Sequence, residues 1–190
     1  MFVLDARDFG PEVFTRSDAD RVQSILETAD SKGLSNLTII EEFSGPTNLV
    51  SYFKKLLQEF ESKAEVHKVN VIDEHRLSFE VETCLEVNMI ASYRGKSEVV
   101  ASVKKIIGGS ETPKEEFEAA IGSGLLTAIR PEPDLIVFFG GRRRVGEVGV
   151  WIGAYSELAF LDKLWQSFTA DDLTDLLADF GLRERRFGAV

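Results

Sequence analysis

Gly140 and Gly141 stop an apolar run, "PDLIVFFGG", and Arg142, Arg143 and Arg144 follow at once. Glycines let a backbone approach an anion closely, and guanidinium forks grip phosphate oxygens in pairs. The chemistry implied is phosphate binding. The same run is equally open to a second reading, a solvated turn whose arginines pair with carboxylates. Glu157 lies inside "AYSELAFLDKLW", where a carboxylate has to be paired, metal-bound or at an edge. A second basic cluster, Arg183, Arg185 and Arg186, stands in "RERRFG" near the end. It reads as an anion ligand or as a basic helix end complementing the dipole.

Other chemistries find little support. The two histidines, His67 and His75, stand apart, and Cys84 is the single cysteine. That set argues against a Ser-His-Asp or Cys-His nucleophile and against structural zinc, and it excludes an internal disulfide. No Walker or dinucleotide glycine motif is present. The formal net charge is -10, which argues against nucleic acid as the main partner. Hydrophobic content of 44% and charged content of 28% describe a globular protein with a real core. No apolar run approaches the ~20 residues that span a bilayer, and no secretory signal opens the chain. The expectation is a cytoplasmic protein with no membrane anchor of its own.

These residues need elements to position them. "FVLD" is a first strand, and "SDADRVQSILETADSKG" a helix capped by Ser17 and closed by Gly33. "LTIIEEF" is a strand, and "PTNLVSYFKKLLQEF" a helix with Leu49, Val50, Phe53, Leu56, Leu57 and Phe60 on one stripe. "VHKVNVI", "RLSFEVE" and "LEVNMIAS" read as strands, the last two compatible with a hairpin. "SEVVASVKKII" is helical, and Thr112, Pro113 and Glu115 form a capping-box pattern. "PDLIVFFGG" is a strand buried on both faces. In "VGVWIGAY", Val148, Val150 and Ile152 alternate with Gly149, Trp151 and Gly153. "TADDLTDLLADF" is a helix with acids in its first turn. Strands alternating with helices predict a single α/β domain over residues 1–190, with a mainly parallel central sheet flanked by helices. In such sheets ligands bind beyond the carboxyl ends of strands, where Gly140 and Gly141 fall.

The segment Pro133 to Phe168, with "RERRFG" after it, resembles the cis-prenyltransferases, the family of undecaprenyl diphosphate synthase. The family pattern D-L-[LI]-I-R-T-[SG]-G-E-x-R-[LI]-S-N-F-L-L-W-Q-x-A-Y-[SA]-E-[LF]-x-F aligns there without a gap. "VNMIASYRGKSEVVASVKKI" is similar to N-I-A-L-N-Y-G-G-R-x-E-[IL], and "LTIIEEFS" to L-T-x-Y-A-F-S. The resemblance implies a dimeric enzyme fold that extends an allylic diphosphate with isopentenyl diphosphate and Mg2+. It places the second family arginine on Arg144, the metal-binding glutamate on Glu157, and the C-terminal R-x-G motif on Arg186 and Gly188. It also places Phe138 where the family has an arginine, and Gly146 where it has a serine. The H-x-x-x-x-M-D-G-N-x-R opening is missing; Asp5 is the nearest equivalent of its aspartate, with Ala6-Arg7 after it. Phe43 to Asn48 replace the Phe-Ser-Thr-Glu-Asn-Trp loop.

The same departures resemble the Nogo-B-receptor-type subunits, the non-catalytic halves of heteromeric cis-prenyltransferases. That resemblance implies a catalytic homologue as partner. Arg186 and Gly188 would be donated to its isopentenyl diphosphate site, and membrane contact would come only through that partner and its lipid product. Gly140, Gly141, Arg142 and Arg144 would be the substrate-binding remnant, and "VGVWIGAY" with "SELAFLDKLW" the subunit interface. Two other functions fit the residues: a self-sufficient enzyme using Asp5, the three arginines and Glu157, and a homodimeric binder of a phosphorylated or isoprenoid ligand.

Overall fold

The computed structural model describes residues 1–4, 16–42, 49–62, 66–73, 76–81, 85–107, 117–123, 125, 132–148, 151 and 153–184. Asp5, the Phe43 to Asn48 loop, His75, Cys84, Thr112, Pro113, Glu115, Gly149, Val150, Ile152, Arg186 and Gly188 lie outside them.

Seven strands form one sheet in the order β3-β4-β5-β2-β1-β6-β7. They are β1 (Phe2–Leu4), β2 (Asn36–Glu42), β3 (Val66–Asp73), β4 (Arg76–Val81), β5 (Glu86–Tyr93), β6 (Leu135–Phe138) and β7 (Glu157–Phe160). The five strands β5, β2, β1, β6 and β7 pair in parallel. β3 and β4 are added antiparallel outside β5, so the hairpin expected between β4 and β5 is present and is extended by a second one. The predicted α/β architecture is therefore observed.

Helices cover the sheet: α1 (Arg16–Ser31), α2 (Leu49–Ser62), α3 (Gly95–Ile107), α4 (Phe117–Ser123) and α5 (Ala170–Gly181). Ser17 falls inside α1 rather than at its cap. The end of α1 is as expected. Gly33 has φ +76, and Leu34 N–H bonds back to the Ala29 carbonyl, which closes the last carbonyls of the helix. A capping box forms on α5, where Thr169 and Asp172 satisfy each other's backbone N–H groups.

Strand alternation splits the core in two. Leu37, Ile39, Leu135, Val137 and Phe139 face the buried stripes of α1, α2 and α5. Ile40, Ile90, Tyr93, Ile136, Phe138 and Val148 fill the other face. Every residue of β6 is buried, as its unbroken apolar run requires. A knot of Phe2, Phe139, Trp165 and Phe168 holds the first face together, with ring centroids 5.0 to 6.2 Å apart. Arg21 lies 4.9 Å over the Trp165 ring and donates to the Trp165 and Phe168 carbonyls.

The described residues of "VGVWIGAY" do not form a strand. Trp151 and residues 153–155 are turns, and β7 starts at Glu157. The dense glycines there, with Gly146 already at φ +71, favour turns over a ladder.

Candidate anion site at the carboxyl edge of the sheet

β2, β5, β6 and β7 all end on one edge, and the turn after β6 crosses it. Gly140 and Gly141 have φ +75 and +71, a conformation that only glycine adopts without strain. Their N–H groups bond the Lys163 and Leu161 carbonyls, which ties this turn to the one after β7. The chain direction so fixed sends the three arginines three ways. Arg142 turns inward, with its guanidinium 5.9 Å from the Phe138 ring centroid and Nη1 donating to Glu42 Oε2 at 2.8 Å. Arg143 turns outward and pairs with Asp162 at 2.7 Å. Arg144 is exposed and makes no ion pair among the described residues.

The rest of the turn is pinned just as closely. Glu147 N–H donates to Glu42 Oε1. The Glu147 carboxylate accepts from Lys96 N–H at 3.3 Å, in the first turn of α3, and lies 3.9 Å from Lys96 Nζ. A Cβ on Gly95 would come within 2.1 Å of the Glu147 carbonyl, so glycine is required for this approach. Below it, the Tyr93 hydroxyl donates to Glu98 at 2.6 Å in a buried contact.

Glu157 is not part of this arrangement. It is the first residue of β7, in register with Leu135, and its N–H bonds the Asp134 carbonyl. That puts it about 10 Å back along the strand from the Phe138–Phe160 pair, at the opposite edge. There it meets Arg183, with Nη1 3.4 Å from Oε2. Of the candidate residues, the fold brings Gly140, Gly141, Arg142 and Arg144 to one edge and Glu157 to the other. No group of three or more His, Cys, Asp or Glu side chains converges among the described residues. At the amino edge a cavity of about 260 Å3 opens between the sheet and α5, lined by Leu34, Leu37, Leu173, Leu176, Leu177 and Phe180.

Residues 70–188, well over half of the chain, match the family described as "Putative undecaprenyl diphosphate synthase". The chain belongs to this family, the cis-prenyltransferases. It is 29% identical to an isoprenyl transferase of Rhizobium meliloti (strain 1021), covering 92% of this chain and 82% of the relative. It is 31% identical to an isoprenyl transferase of Geobacillus kaustophilus (strain HTA426), covering 89% and 77%. The fold also matches the crystal structure of lavandulyl diphosphate synthase from Lavandula x intermedia, which is in complex with dimethylallyl diphosphate. The TM-score is 0.72 at 22% identity, covering 98% of this chain and 96% of that one.

Phe138, at the position aligned with the first cis-prenyltransferase arginine, is fully buried and stacked on Phe160 at 5.0 Å. No guanidinium reaches the edge from there. Arg144, aligned with the second, is where an anion could meet it. What the edge can do is hold an anion through Arg144, which is exposed there. Glu42 was missed from sequence. The only signal for it was an acidic pair, Glu41-Glu42, ending an apolar strand.

Proposed function

We propose that this chain is the non-catalytic subunit of a heteromeric cis-prenyltransferase that makes long-chain polyprenyl diphosphate from isopentenyl diphosphate and an allylic diphosphate. The observation that carries this reading is Phe138. Where its relatives' pattern has a diphosphate-binding arginine, this chain has a ring committed to the core. The partner is a catalytic homologue with the missing aspartate, and Mg2+ is held there. This chain stabilises that partner and donates Arg186 and the Gly188 backbone to its isopentenyl diphosphate site. An arginine supplied in this way acts by positioning and by charge neutralisation. Arg183, three residues before Arg186 in sequence, lies at the amino edge beside Glu157 and away from the chain's own carboxyl edge, which supports donation of Arg186 to another subunit.

The test is prenyl transfer from labelled isopentenyl diphosphate to an allylic primer with Mg2+. It is run on this protein alone, on a homologue carrying the intact M-D-G-N-x-R motif alone, and on both co-expressed. Long product from the mixture that clearly exceeds the homologue alone, and that Arg186→Ala in this chain abolishes, supports the subunit reading. Turnover by this protein alone overturns it and revives a remodelled enzyme. The cavity beside α5, mostly apolar but also bordered by Asn36, Glu132 and Asp134, favours one other reading, a homodimeric binder of an isoprenoid ligand. That reading predicts saturable binding of a prenyl alcohol with no turnover in any arm.

A further inference from the structure

We infer that Glu42 is a built-in counter-anion that closes the carboxyl edge of this chain's sheet to diphosphate. The inference rests on the proposal above only in taking diphosphate as the anion to be refused. The geometry stands on its own. Three groups at this edge would receive an anion: the buried guanidinium of Arg142, the N–H of Glu147 behind the left-handed Gly146, and the N–H of Lys96 opening α3. Each of them already faces a carboxylate of the same chain. Glu42 takes the first two, one oxygen to each, and Glu147 takes the third. A guanidinium beside a backbone amide is the donor pair that would grip two oxygens of a phosphate, and Glu42 spans it in just that way.

Space agrees with charge. A Cβ on Gly146 would lie 2.2 Å from Glu42 Oε1, so the carboxylate fills the volume a side chain at 146 would use. A serine at 146, as in the family pattern, would have to displace this carboxylate from its place. The pair is also sheltered, with the Arg142 side chain 6% exposed and that of Glu42 20%. A diphosphate arriving here would meet a weakly screened like charge and find the inner arginine already ion-paired through Nη1, with Arg144 the exposed guanidinium left to hold it. Glu42 is therefore a specificity-determining residue. It keeps the turn after β6 in place with no bound ligand, and it refuses the ligand.

Titration calorimetry with metal-free inorganic pyrophosphate tests this on the whole chain. The wild type, Glu42→Ala, Glu42→Gln and the double variant Glu42→Ala/Arg142→Ala are compared, with circular dichroism as the folding control. Glu42→Ala should bind about tenfold or more tightly than wild type, and more weakly as salt rises. Glu42→Gln should gain less, since one acceptor oxygen stays, and the double variant should lose the gain. If Glu42→Ala does not fold, Glu42→Gln decides by the same criterion. Wild type binding as tightly as the variants, or folded variants showing no gain, would overturn the inference. A gain in Glu42→Ala together with inactive co-expressed protein would keep the counter-anion and reject the subunit. An active mixture with no gain would do the reverse.

Discussion

Arg183 reaches from the end of α5 to the first residues of β7, with Nη1 2.9 Å from the Leu158 carbonyl and 3.4 Å from Glu157 Oε2. The same side chain bonds Asp179 one turn back, at 2.7 Å. It thus joins the last helix to the outer strand just before the tail that carries Arg186 and Gly188. Partly exposed ion pairs contribute little to stability, so Arg183→Ala should cost about 1 kcal/mol in urea unfolding. On the proposed subunit role its effect on co-expressed prenyl transfer should be far larger, because Arg183 stands only three residues before Arg186. A loss of activity in proportion to stability would make the contact merely structural.

Gly146 and Glu42 should be energetically coupled. Gly146→Ala puts a side chain at φ +71 and against the Glu42 carboxylate, and should destabilise by about 1–3 kcal/mol. In a Glu42→Ala background the contact is gone and only the backbone cost remains. A double-mutant cycle read by urea denaturation should give a coupling of about 0.5 kcal/mol or more. Additive effects would mean that the carboxylate moves aside freely.

The cap of α5 predicts an acid-side pH dependence. Burial acts to raise the Asp172 pKa, but hydrogen bonds from Lys163 and from the Thr169 hydroxyl and N–H, with the Lys163 charge, outweigh it and hold the carboxyl below its usual value. A lowered folded pKa adds stability that is fully present above the unfolded value, near pH 4, and is lost as pH falls through the folded one. Unfolding midpoints followed from pH 6 downward should therefore drop more steeply below about pH 4 in wild type than in Asp172→Asn. Thr169→Ala should cost about 1 kcal/mol at neutral pH.

Trp165 anchors the aromatic knot. Trp165→Ala should cost about 3–5 kcal/mol, since the ring is buried among Phe2, Phe139 and Phe168 and carries Arg21 on its face. Calorimetric melting of the variant checks the size of the loss. A cost below about 1 kcal/mol would mean that the knot repacks around the gap.

The fold was legible where local pattern and burial agree. β6 is an unbroken apolar run, and Leu173 and Leu176 on α5 lie buried where the helical spacing puts them. Alternation misled in the described part of "VGVWIGAY", because a stretch with glycines four apart can mark turns as readily as a strand. Residue type marked the three arginines as equals; only the two left-handed glycines before them aim Arg142 at Glu42, 100 positions earlier in the chain. No local pattern reveals such a partner. The separation of Glu157 from the arginines was within reach of reasoning. In parallel strands, a residue that opens one strand and glycines that follow another lie at opposite edges.

The position of β1 bears on how the chain is born. β1 comes first in sequence yet sits between β2 and β6, with Phe2 in register with both Ile39 and Val137. On a ribosome it emerges early, and its second neighbour follows more than a hundred residues later. Closing so long a loop is slow, and the strand's open side is a surface that other chains can pair with while it waits. The half-built sheet is thus most vulnerable during synthesis, when a companion protein able to shield that side would do the most good.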